Sequence, residues 1–165
     1  MGKREERKHR RLLTVYGLLW LLIMVFIFIM SARDGDESTD ISDGVLYLLF
    51  SWLIPLLPEG LAGFLIRKAA HMFEFCCLAV VSWLFAAELL EGRQARYRLA
   101  LPASAAWSFL YACTDEWHQR VVPGRVGQFQ DVLIDFLGSA TGLLLAALLL
   151  WLRRRGQTAF SGGER

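Results

Sequence analysis

From Leu12 to Met30 the chain carries no charged side chain. A helix of about 20 apolar residues is what crosses the hydrocarbon core of a bilayer. Inside lipid the backbone must satisfy its own hydrogen bonds, so such a stretch restricts the chain to a helical answer. The basic residues ahead of it, Lys3 to Arg11, are also what a secretory signal starts with. Signal cores are shorter, however, about 7–15 residues, and Met30-Ser31-Ala32 is a poor cleavage site, so the segment reads as an uncleaved anchor.

Three further spans follow, at about Ala69–Leu90, Leu99–His118 and Val132–Leu152. Val45–Leu57 is shorter, contains Pro55 and is followed by Pro58. Apolar runs of about 10–14 residues lie at interfaces or re-enter more often than they span. Tyr47 and Trp52 suit the headgroup layer. The expected fold class is all-α: an integral membrane bundle of four transmembrane helices plus a short interfacial or re-entrant helix. At 165 residues and 55% apolar, the chain has room for one membrane domain, 12–152, between a basic N-terminus, 1–11, and a tail, 153–165. Cys76, Cys77 and Cys113 all lie in apolar runs and read as packing residues rather than a disulfide framework.

Orientation follows from where the basic residues fall. Thirteen of the 18 lysines and arginines lie in the N-terminus, in the loop holding Arg93, Arg96 and Arg98, and in the tail from Arg153. Short positively charged segments stay in the cytoplasm, so both termini are expected there and the protein is a multi-pass protein of the cell membrane. The acidic loop Arg33–Asp43 and the turn Gln119–Gln130 then lie outside. The basic N-terminus is a topology signal and a contact for anionic lipid; no nucleic-acid partner is expected.

Against this apolar background stand Arg67, His71, Glu74, Asp115, Glu116, His118, Asp131 and Asp135. A charged residue at a helix centre in lipid costs about 2.5–3.5 kcal/mol, which makes each one a candidate for function. Except for the deeper Glu74, they fall at the extracytoplasmic helix ends, whereas Glu88 stands apart as a carboxylate reaching the other interface. Helical spacing groups them into stripes. Arg67, His71, Glu74 and Leu78 form one; Ser104, Ser108, Tyr111, Asp115 and His118 form a second. Asp131, Asp135, Gly138 and Gly142 form a third, and its GxxxG permits close helix approach.

The acid and imidazole groups His71, Glu74, Asp115, Glu116, His118, Asp131 and Asp135 are the candidate catalytic set, with acid–base roles. Arg67, Lys68 and Arg125 are placed to contact an anion such as phosphate, with Tyr111 and Gln119 as further ligand-contacting candidates. Two histidines with carboxylates are also a ligand set for a divalent metal, here His71, Glu74, Asp115 and His118. Residue spacing does not choose between these chemistries. A structural alternative stands beside them, in which the same groups satisfy one another and lock the helices. No HExxH, Ser–His pair or phosphate-binding glycine loop is present.

The stretches Arg67-Lys68-Ala69-Ala70-His71-Met72-Phe73-Glu74-Phe75, Tyr111 to Gln119 (YACTDEWHQ), Val122-Pro123-Gly124-Arg125-Val126-Gly127, and Asp131 to Asp135 with Gly138 resemble the VanZ-like family over residues 15–150. The family often has Tyr where this chain has Phe75. The resemblance implies a small multi-span protein of the cell envelope, with a link to resistance against teicoplanin, a lipid-tailed glycopeptide. The resulting expectation is an extracytoplasmic polar pocket that binds, and in an enzyme would modify, an anionic lipid headgroup or a lipoglycopeptide. The alternatives are a non-catalytic binding or assembly module and an ion-coupled transporter. The transporter reading is weakened because the carboxylates cluster at one rim.

Overall fold

The computed structural model describes residues 2–33, Gly44, Leu48, 61–91 and 95–161, with backbone alone for 153–161. Four helices follow in order: α1 (Lys3–Ser31), α2 (Leu61–Leu89), α3 (Arg96–Gln119) and α4 (Phe129–Ser161). No strand occurs among the described residues. The protein is a helical bundle of a membrane protein: α1, α2 and α4 (over Phe129–Leu152) are long and apolar enough to cross a bilayer. At 1.5 Å per residue, α3 would span about 36 Å. It is less apolar because Ser104, Ser108, Asp115, Glu116 and Gln119 are all buried on it.

The helices alternate in direction. His9 near the start of α1 meets Glu88 at the end of α2. Ser31 at the end of α1 meets Asp115 near the end of α3, and Lys68 near the start of α2 meets Asp131 at the start of α4. The first residues of α1 and the last of α4 therefore lie at one end of the bundle, and the polar stripes converge at the other.

Packing explains the order of the layers. On α2, Phe75, Leu78, Ala79, Ser82, Trp83 and Ala87 are buried at three- and four-residue spacing, and this helix packs against the other three. In α1, by contrast, Ile27 and Ser31 are the buried residues, while Leu18, Leu22, Phe26 and Ile29 are exposed. A helix apolar on every side is solvated by lipid tails. The α2–α4 contact is made through backbone. A side chain's first carbon at Gly138 would overlap the Met72 carbonyl, and one at Gly142 would sit 2.7 Å from the Cys76 carbonyl oxygen. This is the close approach that small residues permit in membranes.

Two helix boundaries differ from the sequence reading. α2 begins at Leu61, about two turns before Ala69. Leu61–Ile66 is apolar and continuous with the helix, and Arg67 and Lys68 do not break it because they occupy its polar face. α4 continues as backbone helix through Arg153–Arg155 to Ser161, since arginine is a good helix former. Glu88, at the end of α2, is buried, at 8% exposure, against His9. The helix expected over Val45–Leu57 lies, apart from Leu48, outside the described residues.

Candidate functional site

The ends of α2, α3 and α4 opposite the termini enclose a cavity of about 320 Å³. Its lining includes Arg67, Lys68 and His71 from α2, Glu116 and Gln119 from α3, Arg125 from the turn, and Asp131 and Asp135 from α4. Arg67, His71, Asp131 and Asp135 come from the stripes on α2 and α4, whereas α3 contributes Glu116 and Gln119, which lie beside its stripe. Once Gly138 and Gly142 press α4 onto α2, the residues one and two turns earlier, Asp135 and Asp131, must face Lys68 and His71.

The ion pairs divide the cavity by depth. Lys68 Nζ lies 2.5 Å from Asp131 Oδ1 at the mouth. Deeper, His71 Nδ1 is 4.0 Å from Asp135 Oδ1 and 4.0 Å from Glu74 Oε2. Neither separation is a hydrogen bond. Asp135 is 1% exposed, and its Oδ2, His71 Nδ1 and Glu74 Oε2 are buried without a hydrogen-bond partner. Buried polar atoms left in that state cost about 1–3 kcal/mol each.

Asp115 is held differently. Its Oδ2 accepts hydrogen bonds of 2.9 Å from Ser31 Oγ and 2.9 Å from Gln119 Nε2, and Gln119 also reaches Ser31 Oγ at 3.3 Å. One ligand atom each from His71, Asp115 and Asp135 lies within 4.8 Å of the others, so three helices bring a base and two acids to one point. Glu116 is buried and accepts the Gln128 backbone N–H at 2.9 Å, which fixes the turn leading into α4. Tyr111 points the other way and donates to the Met24 carbonyl on α1 at 2.6 Å.

The turn closes over the cavity because Gly124 takes φ 71°, a left-handed conformation natural to glycine. This swings Arg125 inward, where Nε donates to the Arg33 carbonyl at 3.2 Å and a terminal nitrogen donates to the Met30 carbonyl at 3.4 Å. Burial and the nearby Arg67 push the Arg125 guanidinium below its usual value, yet arginine stays charged.

Of the sequence candidates, Arg67, Lys68, His71, Glu116, Gln119, Arg125, Asp131 and Asp135 line the cavity. Asp115 and Glu74 flank its inner end through His71. His118 is not among the lining residues; its ring packs on Phe28 of α1, with centroids 4.6 Å apart. The cluster that shares a point is His71, Asp115 and Asp135, whereas the metal set expected from spacing paired His71, Glu74 and Asp115 with His118. Ser31 carries no site role in the sequence reading, and Gly127 enters it only as part of the family motif. Ser31, weighed only as part of a cleavage site, orients Asp115. Gly127 packs so closely on the Glu116 carbonyl and the Arg120 side chain that a first side-chain carbon would overlap both. The lone hydroxyl closing the long apolar run of α1 was the available signal for Ser31.

The buried imidazole and carboxylates under a ring of cations can bind an anion, hold a cation or move a proton. No curated protein and no solved structure matches the chain. A model of the family described as VanZ/LLP1 matches residues 16–151. That span contains the parts of α2, α3 and α4, and the turn, that line the cavity, and the chain belongs to the VanZ/LLP1 family.

Proposed function

We propose that this chain is a multi-pass cell-envelope protein that binds the anionic group of a lipid headgroup or an amphipathic antibiotic in the cavity between α2, α3 and α4. The observation that carries this reading is the cavity lining: Arg67, Lys68 and Arg125 ring an opening of about 320 Å³ in the polar end of an otherwise apolar bundle. Guanidinium and ammonium groups lining one space suit phosphate or carboxylate recognition, with an incoming anion competing with Asp131 for Lys68. The alternating helices bring both termini to one end. The excess of basic residues there supports a cytoplasmic location for that end, and an outward-facing cavity. Family membership supports a contribution to teicoplanin tolerance, because a protein acting on the outer leaflet meets a lipid-tailed glycopeptide where it works.

The test uses purified full-length protein titrated with short-chain phosphatidic acid, its zwitterionic phosphatidylcholine counterpart and teicoplanin. Phosphatidic acid or teicoplanin should bind more tightly than phosphatidylcholine. Arg125→Ala should weaken that binding by about tenfold, the share expected of one charge-assisted contact. Equal affinity for all three ligands, untouched by Arg125→Ala, removes the anion-binding reading.

A further inference from the structure

We propose that His71, Asp115 and Asp135 form a site for one divalent cation of the zinc type, at the inner end of the cavity. The site adjoins the anion-binding mouth but does not depend on what fills it. Three independent helices supply the ligands, and one atom from each lies within 4.8 Å of the others, so a side-chain shift of a few tenths of an ångström brings all three within reach of one ion. The spacing discriminates between two arrangements. A histidine hydrogen-bonded directly to a carboxylate sits about 2.7–3.2 Å from it. Atoms sharing an ion, each about 2.0–2.2 Å from the metal, lie about 3–4 Å apart. His71 Nδ1 and Asp135 Oδ1 are 4.0 Å apart, too far to bond each other and close to the span an ion would bridge.

A second observation points the same way. Asp135 is 1% exposed and its Oδ2 has no hydrogen-bond partner, and neither does His71 Nδ1 beside it. A buried carboxylate oxygen without a donor is relieved either by a proton or by a cation beside it, and an imidazole and a second acid at the same point favour the cation. Lys68 does not supply it at contact range, being paired with Asp131, and Arg125 donates to backbone carbonyls of α1. Glu74 Oε2, also without a partner, lies 4.0 Å from His71 Nδ1 but outside the three-residue cluster.

The surroundings are those of a ligated metal. Ser31 and Gln119 both donate to Asp115 Oδ2 and so fix its orientation, the part that outer-shell groups play around metal ligands. Imidazole with carboxylates favours zinc and its first-row neighbours over magnesium or calcium, which prefer oxygen alone. Three protein ligands leave a coordination position facing the cavity, as in sites where a metal meets a ligand rather than a purely structural role.

The experiment uses full-length protein in detergent, stripped with chelator, repurified and titrated separately with Zn²⁺, Mn²⁺ and Mg²⁺, with bound metal and thermal midpoint both recorded. Wild type should take up one Zn²⁺ per chain, with a raised midpoint, and prefer it to Mg²⁺. Gln119→Ala should weaken Zn²⁺ binding by about 10–100-fold as an outer partner, and His71→Gln and Asp135→Asn should weaken it more than that. His118→Ala should bind as wild type does. Circular dichroism and size exclusion establish that each variant is folded, and Asp115→Asn replaces any that is not. Failure of wild type to bind Zn²⁺, equal preference for Mg²⁺, or loss in His118→Ala with retention in Asp135→Asn overturns the site. Phosphatidic acid binding by the stripped protein separates this outcome from the anion-binding reading. If the lipid still binds while Zn²⁺ does not, only the metal site falls.

Discussion

The two ends of the bundle handle ionisable groups in opposite ways. At the terminal end, His9 Nδ1 lies 3.1 Å from Glu88 Oε2 and 2.5 Å from Glu91 Oε2. Trp83 Nε1 donates to the Tyr97 carbonyl at 2.9 Å, over an apolar cluster that includes Ala79, Ala87, Ala100 and Leu143. At the cavity end, Arg33 Nε, His71 Nδ1, Glu74 Oε2, His118 Nδ1 and Asp135 Oδ2 are buried without hydrogen-bond partners. The other orphans among the described residues, Ser82 and Ser108, are neutral hydroxyls. One end resolves its charges locally; the other resolves Asp115, Glu116 and Asp131 and leaves His71, Glu74 and Asp135 each with an open atom. The difference teaches that polarity in a membrane bundle is not by itself a functional signal; unresolved polarity is.

The comparison can be broken at several points. The largest effect belongs to the contact that both ends share. Gly138→Val would drive a side chain into the Met72 carbonyl and should cost about 3 kcal/mol, the upper part of the usual overpacking range. Thermal unfolding in detergent measures it, and a wild-type midpoint would mean that α4 is not seated on α2 as described. Gly142→Leu should follow the same direction against Cys76.

At the cavity end the expected sign reverses. In chelator at alkaline pH, where the carboxyl is forced to ionise, Asp135→Asn should raise stability by about 1–2 kcal/mol, because it replaces a buried carboxylate whose Oδ2 has no donor with a neutral amide. The same variant should lose metal binding. A clear loss of stability instead would assign Asp135 to holding the helices together. His9→Ala is the counterpart at the other end. It leaves Glu88 buried without its partner and should cost about 1 kcal/mol, with no change in phosphatidic acid affinity. If that affinity falls, the ends are coupled and the contrast between them is wrong.

The smallest perturbation tests direction. Val126 is 71% exposed in the turn over the cavity, so Val126→Cys should react with an impermeant thiol reagent on intact cells, above the background of the native cysteines. Gly2→Cys at the opposite end should not. The reverse pattern would turn the cavity to the cytoplasm. Gly127 is unsuitable for labelling because of its contact with the Glu116 carbonyl.

Much of the fold was legible because helix periodicity and length are local properties. The stripe Asp131, Asp135, Gly138 and Gly142 could be read directly, and Asp135, Gly138 and Gly142 are buried against α2. Helix ends were less legible, since the charges of Arg67 and Lys68 interrupt the apolar run by which a span's start is read and are accommodated in the helix with Asp131 opposite Lys68. The cavity residues were largely visible as charges out of place. What spacing could not show was selection among them. His71 and His118 have similar sequence surroundings, yet one meets Asp135 and the other stacks on Phe28. That choice depends on helix rotation and on where α1 lies. Ser31 was hidden for the same reason, since its partners are two helices away in the chain.

The Met72–Gly138 contact has an evolutionary corollary. The surface that Gly138 meets on α2 is a peptide carbonyl, which every residue at position 72 would present. Tolerance to substitution should therefore be one-sided, with position 72 free to drift among helix-compatible residues and position 138 confined to glycine. The distance between the two polar stripes is then inherited from main-chain geometry, and side-chain variation along α2 can retune what the cavity recognises without moving its walls.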